Sequence, residues 1–321
     1  MRIFVTGANG FIGSHLVRRL VNEGHNVGIT LRTGSDIWRI RDIILRFTVF
    51  NADLADTDAV SNAISSFKPE IVFHLAAYYV VEHKPSDISS LYNSNVLGLA
   101  NLLDASANAN VRLFVNTSTF FVYDRNAFGK QTMGIINPVN LYANTKLHGE
   151  QACNYYADHG MKCVTFRLFP PYGEMDTKRK FIPFIILSAL KGELTELKTS
   201  LGFQKWDFTY VGDIVDAYMS LIPVYMPYNP DSSKSHEIFD IGTGHAPTLQ
   251  TVVNVILNML NSKINPVWGA LPYRNNEVFY ACANTDVAKS KLGWTAKNTL
   301  FEGLKKTVDW YRNSNQENKK V

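Results

Sequence analysis

The stretch that most restricts how this chain can fold is Gly7-Ala8-Asn9-Gly10-Phe11-Ile12-Gly13, placed directly after the apolar run Ile3-Phe4-Val5. Three glycines spaced three apart, between a β-prone run and a helical pattern, predict a strand that turns tightly into a helix start. Backbone at such a turn can approach a phosphate closely. Side chains there would block either the ligand or the packing of helix on strand, and the helix N-terminus adds unpaired N–H donors and positive dipole. The spacing is GxxGxxG, not the GxGxxG of the commoner dinucleotide fingerprint, and its strand–turn–helix context makes it a phosphate cradle. Its contacts are expected from Gly7, Asn9, Gly10, Phe11 and Ile12.

Short apolar runs then alternate with helical patterns. The reading is strand Ile3–Thr6, a helix from about Gly13 to Glu23, strand Asn26–Leu31, a helix near Asp56–Phe67, strand Ile71–Leu75, a long helix near Ser90–Ala107 and strand Leu113–Thr117. This βαβαβαβ order predicts an α/β fold: a doubly wound, parallel-sheet Rossmann domain covered on both faces, with ligands at the carboxyl ends of the strands. The domain is expected over residues 1–168, with the chain returning to it at about 206–243. A smaller, helix-rich substrate lobe is expected within 169–321, where Pro170, Pro171, Gly173 and the polar loop Asn229–Ser235 make the pattern irregular. Phe181 to Leu190 reads as a buried helix, Phe208–Val211 and Ile238–Ile241 as strands, and Asn313 to Val321 as a solvated, disordered tail.

A chain of 321 residues with 46% hydrophobic and 19% charged residues and a formal net charge of +4 is neither disordered nor collagen-like. No basic stripe interleaved with aromatics points to nucleic acid, and no apolar stretch approaches the ~20 residues of a membrane span. No secretory leader is read ahead of Ile3. Cys153, Cys163 and Cys282 have neither the spacing of a zinc site nor the even count of a disulfide framework, so buried free thiols in a reducing cytoplasm are expected. No metal site is expected.

The second predicted strand ends at Leu31-Arg32, where an NAD-preferring enzyme usually offers an acid to the adenosine ribose. Arg32, helped by Thr33 or Ser35, is suited instead to a 2′-phosphate, which points to NADP(H) over NAD. Asp53, followed by Leu54, is placed to accept from the adenine amine. Tyr142 and Lys146 stand four residues apart ahead of a helical pattern, on one helical face. A neighbouring ammonium favours phenolate, and is expected to move the phenol from its usual ~10 towards neutrality as a proton donor or acceptor. The same lysine can hydrogen-bond the cofactor ribose. Asn116-Thr117-Ser118-Thr119 supplies hydroxyls at the end of a predicted strand, beside that pair.

Together these pieces resemble the extended branch of the short-chain dehydrogenase/reductase superfamily, which holds nucleotide-sugar epimerases, dehydratases and ketoreductases. Further matches are His74-Leu75-Ala76-Ala77, Asn95-Val96 with Gly98, Arg167 to Gly173, Trp206-Asp207-Phe208 with Val211 and Asp213, and Leu292-Gly293-Trp294. The resemblance implies that Leu75, Ala76 and Ala77 contact the cofactor, that Tyr142 exchanges the proton with Lys146 in support, and that a Ser or Thr holds the sugar oxygen. Counting back from Val122-Tyr123 makes that residue Thr119. Phe120-Phe121 follow it, where the 4,6-dehydratases carry Asp-Glu. Asn116 to Phe121, Lys180-Phe181-Ile182-Pro183 and Arg274-Asn275-Asn276-Glu277 resemble the CDP-abequose and CDP-paratose synthases. That likeness implies Phe120, Phe121, Phe181 and Arg274 as substrate contacts, Arg274 on the diphosphate. Tyr78, Tyr79 and His83 follow the cofactor-contacting Ala77 and are placed to touch the sugar, whereas His74 reads as a satisfied structural histidine.

The expected activity is NADPH-dependent reduction of an NDP-4-keto-6-deoxy sugar at carbon 4. An NAD-dependent epimerase or dehydratase, and a non-enzymatic dinucleotide sensor, are the alternatives. A homodimer through the helices Ser90–Ala107 and Tyr142–His159 is what the resemblance implies.

Overall fold

The computed structural model describes residues 1–125, 135–192, 194–227 and 235–317. The first half runs β1 (Arg2–Thr6), α1 (Phe11–Asn22), β2 (Asn26–Leu31), β3 (Phe47–Asn51), α2 (Thr57–Phe67), β4 (Ile71–His74), α3 (Ile88–Tyr92), α4 (Gly98–Asn108), β5 (Leu113–Thr119), α5 (Leu141–Asp158) and β6 (Cys163–Leu168). The second half runs β7 (Pro171–Tyr172), α6 (Phe181–Lys191), β8 (Glu196–Lys198), β9 (Lys205–Trp206), β10 (Thr209–Tyr210), α7 (Val211–Tyr225), β11 (His236–Ile241), α8 (Leu249–Met259), β12 (Asn265–Val267), β13 (Tyr280–Ala281), α9 (Asp286–Leu292) and α10 (Leu300–Glu317).

Seven strands form one parallel sheet in the order β11-β6-β5-β4-β1-β2-β3. Its central strands are apolar on both sides, as a sheet covered by helices on both faces requires. Ile3, Val5, Phe73, Val115 and Phe166 pack under α1, α7 and α9, while Phe4, Val72, Phe114 and Cys163 pack under α2, α4 and α5. A third apolar cluster joins α6, α8 and α10 through Ile186, Val253, Leu304 and Val308. The chain builds outward from β1 to β3 and then crosses back to β4, so the order reverses between β1 and β4. Such a switch point opens a crevice at the carboxyl ends of those strands.

Several elements differ from the sequence reading. The expected long helix is interrupted: α3 passes through a π turn (Asn93–Leu97) into α4. At Gly98 a Cβ would stand 2.8 Å from that of Leu54, so the glycine lets α4 settle against this loop. Val211 begins α7 rather than ending a strand, with Asp213 in the first turn where the helix dipole favours an acid. Only Thr209–Tyr210 is extended there, and it pairs with β7 outside the main sheet. Residues 313–317 continue α10, because Leu304, Val308 and Tyr311 dock one face of that helix. Residues 318–321, and the polar loop up to residue 234, lie outside the described residues. All three cysteines are buried free thiols. Among the described residues no helix is long and apolar enough to cross a membrane.

Candidate active site

The glycine turn has the geometry of a phosphate cradle. Gly7 sits at φ 72°, and a Cβ on it would come within 2.6 Å of the Ala76 backbone nitrogen. A Cβ on Gly13 would lie 2.1 Å from the Gly7 carbonyl oxygen, so helix and turn touch only because that position is bare. At Gly10 an added Cβ would meet only the Gly7 oxygen, at 3.1 Å, which leaves the outer side of the turn open. The first turn of α1 carries no acid. These residues fit a dinucleotide phosphate, with the first amides of α1 as donors.

Around this turn the expected cofactor residues are placed unevenly. Phe11 is buried edge-on to His15, and Ile12 is half-buried in the core. Asn9 uses its side-chain nitrogen on the Asp36 carbonyl, 2.9 Å away, so it fastens the turn after β2. In that turn the Arg32 amide donates to Ser35 Oγ at 3.0 Å, and the exposed Arg32 guanidinium makes no hydrogen bond among the described residues. Asp53 accepts from the Ala55 amide and Leu54 is buried, so both also hold their loop. The amides of Leu75 and Ala76 donate to the Thr6 carbonyl (3.1 Å) and to Thr6 Oγ1 (3.3 Å), bringing the β4 exit, with Ala77 beyond it, against β1.

Asn140 caps α5, accepting from the Ala143 amide at 2.8 Å, and its side-chain nitrogen donates to the Val81 carbonyl. The helix therefore starts beside the β4 exit, with Tyr142 and Lys146 one turn apart and both buried. Asn95, in the π turn, accepts from the Tyr78 amide (2.8 Å) and donates to Thr145 Oγ1 (3.0 Å). Thr145 in turn donates to the Tyr142 carbonyl, so one buried amide ties the β4 exit to the turn carrying Tyr142. Tyr79 stands edge-on to Tyr142, ring centroids 4.9 Å apart, whereas the Tyr78 hydroxyl donates to Asp87. The structure thus brings Tyr79, not Tyr78, to the phenol.

Among the described residues Thr119 Oγ1 accepts only a long 3.3 Å bond, from the Phe121 amide. Ser118 points to the other side of β5 and donates to Glu150 at 2.5 Å, which removes it as the substrate hydroxyl. Phe121 lines a cavity of about 200 Å³ with Val81, Glu82, Asn140, Trp206 and Arg274. Phe120 stacks on Phe169 at 5.5 Å and Phe181 on Phe208 at 6.1 Å, so one face of each of these expected substrate contacts is engaged in ring packing.

A family model described as the NAD dependent epimerase/dehydratase family matches residues 3–242. The chain belongs to that family. A CDP-abequose synthase of Salmonella typhimurium is 28% identical over 95% of this chain and 97% of the relative. The structure of a Thermotoga maritima UDP-glucose 4-epimerase with UDP-glucose superposes with a TM-score of 0.86 at 27% identity, covering 98% of this chain and 99% of that one. MoeE5, solved with UDP-glucose and NAD, gives 0.82 at 30% identity over 98% and 99% of the two chains.

In this enzyme of the epimerase/dehydratase family, burial sets how the phenol and the amine ionise. Burial pushes Tyr142 up, and Tyr79 adds to this. Lys146 is pushed down to about 8 by burial, against smaller opposing effects of Cys153 and Glu150. The expected lowering of the Tyr142 pKa by Lys146 is therefore not found: loss of water around the phenol outweighs proximity to the amine. Tyr142 is held as a neutral phenol. The Lys146 ammonium is lost as pH rises through about 8, so kcat/KM of the free enzyme is expected to fall on that side. A pH profile measured with Lys146→Arg, which cannot lose its proton there, should stay flat through this range.

His74 also departs from its sequence reading. Its Nδ1 shares a 2.8 Å bond with Thr6, but Nε2 has no partner among the described residues, and burial drives its pKa well down. Sequence reasoning missed Asn95 as the link to Tyr142, and Glu150, whose spacing of four from Lys146 on α5 was the available signal.

Proposed function

We propose that this enzyme reduces the carbonyl at carbon 4 of an NDP-4-keto-6-deoxy sugar with NADPH. The observation that carries this is the apolar exit of β5. Directly after Thr119, Phe120 is in a ring stack and Phe121 is on the cavity wall, so the two positions following Thr119 carry no acid to expel water. The dinucleotide, when bound, supplies the hydride. Thr119 holds the carbonyl oxygen, neutral Tyr142 gives its proton to the developing alkoxide, and Lys146 favours that loss by its charge. Arg274, exposed at the cavity mouth, takes the diphosphate. The exposed Arg32 guanidinium, without a hydrogen bond among the described residues, favours NADPH over NADH. Exposed Tyr92, Leu97 and Tyr155 on α3 to α5 suit a homodimer, and three free thiols suit the cytoplasm.

The test is to supply the purified protein with NADPH and an NDP-4-keto-6-deoxyhexose and follow the reduced nicotinamide by absorbance. One equivalent consumed per sugar is expected. The likeness to a UDP-glucose 4-epimerase favours a second reading, NAD-dependent epimerisation. Tightly held NAD that returns unchanged while carbon 4 inverts would replace the reductase with that reading.

A further inference from the structure

Two cations meet at the glycine turn without belonging to it. Arg39, beyond β2, donates from Nε to the Met175 carbonyl at 2.9 Å and from Nη1 to the Asn9 carbonyl at 3.4 Å. It thereby spans from the cradle to the loop that follows β7. Its Nη2 makes no hydrogen bond among the described residues. The Lys180 ammonium stands 5.4 Å from the centre of the Phe11 ring and 5.7 Å from that of Tyr79. Phe11 is the first residue of α1, and Tyr79 is the ring against Tyr142.

Both cations answer to one buried acid. Asp176 is 3% exposed and pairs with Lys180 at 3.3 Å, and its charge also acts on Arg39. The Asp176 backbone is fixed by Tyr311, whose hydroxyl donates to its carbonyl at 2.8 Å. Met175, next to it, has φ 61°, a left-handed conformation that is unfavourable for a side chain and survives only where the surroundings impose it. That conformation belongs to the residue whose carbonyl Arg39 holds. Exposed Asp36 is the other acid near Arg39.

We infer that Arg39 and Lys180 form a two-cation clasp, set by Asp176, that grips the dinucleotide pyrophosphate at the Gly7–Gly13 turn. The inference rests on the dinucleotide reading of that turn but not on the sugar or the direction of reaction. A pyrophosphate carries two negative charges along the mouth of the turn. The amides of α1 meet it at the turn, and the clasp adds side-chain charge where the turn is open at Gly10. Lys180 also couples the cofactor site to Tyr79, and so to the proton donor.

Calorimetric titration of NADPH, NADH and ADP-ribose tests this on wild type, Arg39→Gln, Arg39→Lys and Lys180→Gln, with thermal melting to verify folding. Each glutamine variant is expected to bind all three ligands at least tenfold more weakly, with a shallower dependence of affinity on salt. Arg39→Lys, which keeps the charge but cannot reach both carbonyls as the guanidinium does, is expected to lose clearly less affinity than Arg39→Gln. The clasp is overturned by unchanged ADP-ribose affinity in folded glutamine variants, or by losses confined to NADPH, which would belong to the 2′-phosphate. Equal losses in Arg39→Lys and Arg39→Gln also reject it, because the bridge between loops would then matter and not the charge. Wild type that binds none of the three would end the dinucleotide reading itself, whereas missing ketosugar turnover leaves the clasp unaffected.

Discussion

Tyr142→Phe is expected to lower turnover by about 10²–10⁴-fold while folding and dinucleotide affinity stay as in wild type. The size follows from losing a positioned proton donor. The small effect elsewhere follows from the packing. The Tyr142 ring is buried and edge-on to Tyr79, contacts that phenylalanine keeps. Its hydroxyl makes no hydrogen bond among the described residues, so removing the oxygen leaves no buried partner unsatisfied. The loss should fall on kcat with KM little changed, because a proton moves only in the transition state. Steady-state kinetics with NADPH and a 4-keto sugar, beside a dinucleotide titration, measure both sides. A variant retaining more than a tenth of the wild-type rate would take the proton-donor role away from Tyr142.

The parts of this site legible in the sequence are those whose information is local. Glycines three apart identify the cradle because each bare position is demanded by a neighbour in the same unit, Gly13 by the Gly7 carbonyl for example. Tyr142 and Lys146 are legible because helical spacing places both on one face. The ionisation of the pair was not. Spacing reports how close two groups stand, whereas their pKa values follow from burial by β4, β5 and the loop bearing Tyr79. The choice between Tyr78 and Tyr79 was equally hidden, since a strand-exit loop has no periodicity and a shift of one residue reverses the side chain's direction. Phe120, Phe121 and Phe181 are alike in chemistry, and only tertiary packing separates the cavity wall from the two ring stacks. Arg39 and Met175 are 136 residues apart, and nothing in either neighbourhood announces the other.

Arg167→Leu is expected to cost about 3–5 kcal/mol of folding stability, the usual result of stranding a buried charge. Arg167 on β6 donates to Glu150 on α5 through Nε at 3.0 Å and Nη2 at 2.5 Å, and through Nη1 to the Tyr123 hydroxyl at 2.9 Å. Tyr123 donates onward to Asp240 on β11 at 2.7 Å, and Ser118 on β5 donates to Glu150. With Glu150 only 3% exposed and Arg167 9%, little water can replace the guanidinium. The leucine variant leaves the carboxylate with one hydroxyl, and Tyr123 without the donor that balances Asp240. A Glu150→Gln/Arg167→Met double variant removes both charges and should recover most of the loss, because the cost lies in the unpaired ion more than in the missing attraction. Urea denaturation of the three proteins measures this directly. A loss below about 1 kcal/mol for Arg167→Leu would match an exposed ion pair and contradict the burial of this network. Since Ser118 is adjacent to Thr119, the double variant should also lose activity wherever the carboxylate sets the end of β5. Recovered stability with lowered kcat would separate the network's part in folding from its part in holding the substrate hydroxyl.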